Sequence, residues 1–330
     1  MKILKGEPSH RHRFCDEKID LLDRIFIGNE DRQTGFNRRM FEEDFSRIFH
    51  YGNHRSKNLF IVDSTDSKLV EMLLGDVKVR YSPHSVGEAI RELVEDIART
   101  LIGYGRAYYF LYDNRERKEN PVSLCSSSNI VSLFGTYIQW LPKCRTRHWD
   151  KEDEEHPREM RVLDPDKILK FNVPASMRRM LSAQNKILAV LDKHRFEATN
   201  FHPPATYENP NPTTNFDFSI WNHMQDRALY RATRETGWNG RKFDSSKRSD
   251  FFDCHRLIRF RRNQLLLRDS ILSQLSAELS KVGKKYNPEF LVELSAGDEL
   301  PAVSHLDQLE KRLEREDVGF KEVMDYYFQR

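Results

Sequence analysis

The chain has 330 residues, 32% charged and 38% apolar, and its 54 Lys and Arg nearly balance 51 Asp and Glu for a net charge of +3. That length accommodates two compact units, and the apolar content excludes wholesale disorder. No run of about twenty apolar residues occurs and the first residues hold no apolar signal core, so the expectation is a cytoplasmic protein with no membrane partner.

In chain order, 19–27 and 40–49 show the periodicity of short helices. Residues 58–63 predict a buried strand, and 77–81 alternate like a half-exposed one. The densest agreement of signals lies at 85–112. Ser85 and Glu88 have capping-box spacing. Val86, Ala89, Ile90, Leu93, Val94, Ile97, Ala98, Leu101 and Ile102 then fall on one helical face. Gly103 and Gly105 are expected to end that helix, since glycine takes the left-handed turn freely. An aromatic strand follows at 107–112, and further strands are expected at 122–125, 130–134 and 137–141, separated by turn residues. The pattern is that of an antiparallel or mixed sheet beside a long helix.

Residues 150–159 form a charge run broken by Pro157 and predict an exposed loop, and 168–173 predict a strand stopped by Pro174. Met177, Met180, Leu181, Ile187, Leu188 and Leu191 share a stripe that suits core filling or a subunit contact. Four prolines within 201–216 exclude a regular element there and suggest a loop that clasps a neighbour. Helices are expected at 218–235 and at 250–286, the latter stopped by Asn287-Pro288. A short apolar stretch covers 290–294, and Ser304 with Asp307 is expected to cap a final charged helix. The fold class is therefore α+β, helix-rich, with a small antiparallel or mixed sheet and a long C-terminal helix; the division expected is an α+β domain at 1–174 and a mainly helical one at 175–330.

Chemistry-bearing motifs are scarce. No Gly-Lys-Ser or Gly-Lys-Thr ends a phosphate loop, Gly103-Tyr-Gly105 lacks the third glycine of a dinucleotide fingerprint, and neither a Gly-x-Ser-x-Gly elbow nor a His-Glu-x-x-His pair occurs. Cys15, Cys125, Cys144 and Cys254 have no metal-ligand spacing, although Cys144 with His148 and Cys254 with His255 could each supply two ligands. Glu92, Glu95 and Asp96, and separately Asp164 and Asp166, are the acidic clusters a metal-dependent nuclease would need. The nearby Arg91 and Arg99 suit ordinary i, i+4 pairing instead. The expectation is no catalytic residue, no metal and no cofactor.

Charge is unevenly spread. Residues 219–268 hold twelve basic and five acidic side chains, whereas 289–330 hold five basic and eleven acidic ones. Arg256, Arg259, Arg261 and Arg262 stand among aromatic and apolar residues. They are candidates for contacting either phosphate, which guanidinium binds with two N–H groups at once, or the acidic C-terminal region of the same chain or of a neighbouring subunit.

The order of helix 85–102, glycine break, aromatic strand 107–112, short strands to 141, then 166–171 with Pro174 and a helix resembles the wing and stem region of tailed-phage portal proteins over about 85–195. The resemblance implies a wing-like domain at 1–174 and a stem- and crown-like domain at 175–330. It also implies a ring-shaped homo-oligomer that passes double-stranded DNA by non-specific contact, other particle components as partners, and a place in an assembled virion. The alternatives are a DNA-processing or defence-type nuclease whose dispersed carboxylates converge in the fold, and a cytosolic nucleic-acid-binding regulator.

Overall fold

The structure, a computed structural model, describes residues 2–9, 20–27, 35–49, 59–78, 83, 85–113, 122–126, 129–146, 154–194, 218–241 and 249–328. The chain runs β1 (Lys2–Gly6), α1 (Leu21–Ile27), α2 (Phe36–Ser46), β2 (Phe60–Ser64), α3 (Ser67–Leu74), β3 (Val77–Lys78), α4 (Val86–Tyr104), β4 (Arg106–Asp113) and β5 (Val122–Ser126). It continues through β6 (Ile130–Leu133), β7 (Thr136–Leu141), β8 (Cys144–Thr146), β9 (Glu154–His156), β10 (Glu159–Leu163), β11 (Ile168–Asn172) and α5 (Ala175–His194). The last elements are α6 (Phe218–Ala232), α7 (Asp250–Gly283), β12 (Val292–Ala296), α8 (Val303–Glu314) and α9 (Phe320–Phe328). The fold is α+β with small sheets and a 34-residue helix, α7.

Two compact units emerge, each assembled from three segments. The first comprises Met1–Arg32, Lys57–Asn172 and Asp269–Glu299, the second Gln33–Ser56, Val173–Arg268 and Leu300–Arg330, so α7 contributes residues to both.

In the first unit, β4 is one of the two inner strands of the sheet β11-β4-β5-β3. All six residues from Ala107 to Tyr112 are buried, so both of its faces are covered. Tyr108, Phe110 and Tyr112 pack with Ile130 and Leu163, which belong to the second sheet, β1-β10-β7-β6. Tyr109, on the opposite face, donates its hydroxyl to Asp96 of α4. The unit is thus layered as helix, sheet, sheet, and the aromatic run 108–112 fills both interfaces.

Helix α4 forms as its pattern dictates. Ser85 Oγ accepts from the Glu88 N–H at 3.2 Å, Gly105 takes φ +74° and donates to the Leu101 carbonyl at 2.7 Å, and every apolar residue from Ala89 to Ile102 is buried. Gly103 lies within the helix rather than ending it, because Gly105 alone supplies the left-handed cap. Val86, at the first turn, is half-buried.

Several expectations change on contact with the structure. Strand 58–63 is not buried: β2 pairs with β12 in a two-stranded sheet, and Ile61 and Val62 are exposed. The apolar stretch 290–294 belongs partly to that partner strand. Residue 159, read as the end of a loop, begins β10, which pairs with β7 and, in parallel, with the unanticipated β1. Phe134 turns the chain at φ +49° instead of extending β6. The helix expected at 40–49 runs from Phe36 to Ser46. The loop expected at 201–216 lies outside the described residues, as do 79–81 of the strand expected at 77–81.

The described part of the second unit is helical throughout. Asp192 of α5 accepts the backbone N–H groups of Asn37 at 2.7 Å and Arg38 at 3.2 Å, placing a carboxylate at the positive end of α2. A Cβ on Gly35 would lie 2.2 Å from Asp192, so only glycine allows this approach. On α5, Met177, Leu181, Leu188 and Leu191 are buried as the stripe predicts, but Ile187 is exposed. Ser304 lies inside α8, whose N-cap is Ala302 and carries no side-chain cap hydrogen bond.

Leu93, fully buried in α4, sets the first test. Leu93→Ala should cost about 2–5 kcal/mol by cavity formation, and Leu93→Asp should abolish the cooperative thermal transition by burying an unpaired charge. An unchanged melting temperature for either variant would show that this stripe is not core.

Candidate functional site

The first half of α7 carries both the expected basic residues and an unusual set of buried polar ones. Cys254, Ile258, Arg261, Leu265, Arg268 and Leu272 recur at alternating steps of four and three, and all are buried. Two arginines therefore occupy positions on an apolar helical stripe. A buried guanidinium is tolerated only where acceptors surround it, and the ends of neighbouring helices supply them.

Arg256, 4% exposed, points into the turn that follows α6. Its Nη2 donates to the Trp238 carbonyl and to Thr233 Oγ1 at 2.5 Å, and its Nε to the Gly237 carbonyl at 3.3 Å. The Gly237 and Trp238 carbonyls belong to the turn that follows α6; Nη1 also reaches the Tyr230 carbonyl in the last turn of that helix at 3.4 Å, where a cation complements the helix dipole. Gly237, at φ +81°, is fixed by the same contact: a Cβ would lie 2.4 Å from the Arg256 carbonyl oxygen. Arg261, 2% exposed, donates to the Ile48 carbonyl at 2.7 Å, and Gln264 donates to the carbonyls of Asp44, Phe45 and Arg47 at the end of α2. Asn263 reaches the carbonyls of Glu235 and Thr236, and Arg268 that of Pro301 at 3.0 Å.

Arg259 and Arg262 are placed differently. They line a groove of about 220 Å³ together with Glu235, Asn263, Asp307 and Glu310. Arg262 Nε lies 2.7 Å from Asp307 Oδ1 with both side chains about 40% exposed, and His255 Nε2 lies 3.2 Å from Glu310. Of the four candidate arginines the structure therefore brings Arg259 and Arg262 together at an accessible face, whereas Arg256 and Arg261 are turned inward. The pairing of Arg262 with Asp307 joins the basic segment to the acidic C-terminal region within one chain. The stripe spacing of Arg261 and Arg268 was the sequence signal for burial.

The acidic clusters have structural occupations. Asp96 accepts the Tyr109 hydroxyl and lies 3.9 Å from Arg99, three residues on, while Glu92 pairs with its neighbour Arg91 at 3.0 Å, so neither of these two pairs is at i, i+4. Burial and the Asp96 charge push the Tyr109 hydroxyl well above its ordinary pKa. Asp164 accepts the Asp166 N–H and caps a 3-10 turn at Pro165–Lys167. Cys254 is packed among Ile258, Leu265 and Leu309, and burial reinforced by Asp250 and Asp253 pushes its thiol up to about 11. Cys15 and His148 lie outside the described residues. Among the described residues, no group of three or more His, Cys, Asp and Glu is placed to hold a metal ion, and no helix is long and apolar enough to cross a membrane.

A charged site that sequence reasoning missed lies in the first unit. Asp23 of α1, nearly buried, accepts the Trp140 indole N–H at 2.7 Å and the Arg158 Nε at 3.0 Å, while Phe26 stacks on Trp140 at 4.2 Å. Burial works to raise the Asp23 carboxyl, but the hydrogen bonds from Arg158 and Trp140 hold it below its ordinary value of 3.8.

No protein-family model matches the chain, and no curated protein matches it. Among solved structures it is similar to a chain in the virion of the native gene transfer agent (GTA) particle, at 13% identity and a TM-score of 0.41 over 84% of each chain. It is also similar to a chain in the neck of the empty GTA particle computed with C6 symmetry, at 14% identity and a TM-score of 0.41 over 77% of this chain and 81% of that one. A third is in the neck of the native GTA particle computed with C12 symmetry, at 13% identity and a TM-score of 0.41 over 84% of this chain and 86% of that one. The likeness is distant and does not by itself establish a common fold.

Two tests follow from the geometry. Arg256→Ala strands several carbonyls and should cost on the order of 3 kcal/mol, whereas Arg262→Ala removes a half-exposed pair and should cost less than about 1 kcal/mol. Equal losses in chemical denaturation would contradict the placement of the two residues. Because the folded pKa of Asp23 is lowered, its contribution is fully present above 3.8 and is lost as the pH falls through the folded value. Asp23→Asn should therefore flatten the acid limb of the stability curve, and an unchanged limb would mean that the pair with Arg158 does not form.

Proposed function

We propose that the chain is a structural subunit of a ring-forming, portal-like assembly through which DNA passes in a phage or prophage-derived particle. What supports this is one segment of the fold: α4 closed by left-handed Gly105, the aromatic strand β4, the short strands β5 to β7, then β11, Pro174 and α5, in the order on which the resemblance to portal proteins rests. In this reading 1–174 is the wing-like part and 175–330 the stem- and crown-like part. Subunits meet head to tail, a heterologous contact that closes into a ring when the rotation between neighbours closes. The particle is where the assembled protein resides, and other particle components are its further partners.

DNA contact in this assembly is non-specific and falls to Arg259 and Arg262, the two candidate arginines at an accessible face. Phosphate contacts carry charge without base information. The carboxylates of Asp307 and Glu310 in the same groove offer a competing role, in which these arginines meet an acidic surface of the next subunit.

Mass in solution is the primary test. A ring must run far above the 39.2 kDa of one chain, and a monomer or dimer at every concentration and salt examined would overturn the proposal. Changing Arg259 and Arg262 together to alanine separates the two roles. If they face DNA, the fall of affinity with salt should become shallower while the assembly keeps its mass. If they bind a neighbouring subunit, the assembly should dissociate with little change in DNA binding. A variant that keeps both its mass and its salt slope would remove these residues from either interface.

A further inference from the structure

On α6, His223, Arg227 and Arg231 recur at steps of four, so they form one stripe on the helix surface, Arg234 follows in the turn beyond the helix end, and all four are exposed. Like charges at i, i+4 repel. Among the described residues no carboxylate is paired with the side chains of Arg227 or Arg231, in contrast to Arg241 with Asp44 or Arg262 with Asp307 in the same unit. The stripe borders a groove of about 470 Å³ lined by Arg227, Tyr230, Arg231, Ser249 and Phe252. That volume lies within the range of small-ligand sites. Among the described residues no acidic side chain lines it: Asp226 is next to Arg227 in sequence, and Asp250 and Asp253 stand in the first turn of α7, but none of them is part of the groove wall.

Two aromatic rings complete the wall. Tyr230 and Phe252 come from different helices and gather around the buried guanidinium of Arg256, which lies 4.9 Å from the Tyr230 ring centre and 5.7 Å from that of Phe252. Arg256 is itself held by the carbonyls of the 233–238 turn, so the rings are backed by a fixed cation. Phe252 keeps 40% of its surface exposed, which leaves ring area for a further contact. Unpaired guanidinium groups one helical turn apart, beside aromatic faces and with no carboxylate among the described residues of the wall, match a ligand that joins an anion to a planar ring. Arginine takes phosphate oxygens with two N–H groups, and bases stack on aromatic side chains whatever their sequence.

We propose that this groove binds a nucleotide unit, its phosphate held by Arg227 and Arg231 and its base laid on Phe252 or Tyr230. The site differs from the groove at Arg259 and Arg262 in both residues and chemistry, since it engages an unpaired base as well as phosphate. The nucleotide can be free or part of a single strand, and the assay separates the two.

The test uses the full chain and a fluorescently labelled oligothymidylate, read by anisotropy at low salt, with AMP and inorganic phosphate as competitors. The wild type should bind, and Arg227→Ala with Arg231→Ala should weaken binding by about tenfold or more. Phe252→Leu should weaken it by about threefold or more with the salt slope unchanged, because it removes stacking but no charge. Phe252→Tyr, which keeps a π face, should bind like the wild type. Displacement by AMP at concentrations where phosphate has no effect identifies a site that accepts free nucleotides, and displacement by oligonucleotide alone identifies one that needs the strand. Displacement by phosphate as readily as by AMP would overturn the proposal, as would an unchanged affinity in the double arginine variant or in Phe252→Leu. If Phe252→Leu loses its melting transition, weak binding by well-folded Phe252→Tyr would overturn it instead. The groove lies within one chain, so a monomer that binds the oligonucleotide sinks the ring assembly and keeps this site, and a ring that does not bind it does the reverse.

Discussion

The second unit is organised around polar side chains on a buried stretch of α7 that donate to backbone carbonyls at and just beyond the ends of the helices packed against it. Arg256 serves the end of α6, Gln264 and Arg261 serve the end of α2, and Arg268 serves the segment before α8. Each contact satisfies a donor and an acceptor that would both be costly alone in an apolar interior. The same exchange fixes position, because a guanidinium among several carbonyls tolerates little displacement. Gly237 stands where the backbone of α7 approaches too closely for any Cβ, and Gly35 stands where the Asp192 side chain of α5 does.

The first unit is organised instead by area. The strand β4 is covered on both faces, by α4 on one side and a second sheet on the other, and its aromatic residues do not alternate with polar ones because no face meets water. Polar groups enter only at the margins. Asp113, at the end of β4, gathers Lys167 at 2.6 Å and the Tyr286 hydroxyl at 2.9 Å. Burial tends to raise its carboxyl, and these partners and Lys285 hold it below its ordinary value.

Local order was well written in the sequence and distant order was not. The capped helix before Gly105 and the strands at 122–126, 130–133 and 136–141 follow from patterns shorter than about twenty residues. Elements whose partners lie far along the chain left weaker marks. β1 is exposed at all five residues and has no apolar alternation to reveal it, and β10 starts at Glu159, where a charge run was expected to continue as loop. β2 looked buried because Leu59, Phe60, Ile61 and Val62 are apolar, yet a two-stranded sheet leaves its outer side to solvent. The arginines of α7 were weighed as surface residues because isolated charges usually are; the acceptors that draw Arg256 and Arg261 inward come from residues 19 and 213 positions away. For the same reason the site at Arg227 and Phe252 was invisible, since two helices joined by an unpatterned segment bring its parts together.

The parallel pairing of β1 with β10 has a consequence for how the chain is made. Lys2 pairs with Glu159, so β1, once it has left the ribosome, has no partner in that ladder until roughly 150 more residues have been added. At 5–20 residues per second that interval is roughly 8–30 s. Through it the strand offers an unpaired backbone edge bearing Ile3 and Leu4, which remain 60% and 38% exposed even in the finished fold. Lys2 and Lys5 bracket that apolar pair on the same short strand, and lysine on an edge strand is a recognised means of preventing edge-to-edge pairing between chains. Because β1 remains the edge strand of the finished sheet β1-β10-β7-β6, Lys2 and Lys5 stand beside an open backbone edge both before and after that sheet forms.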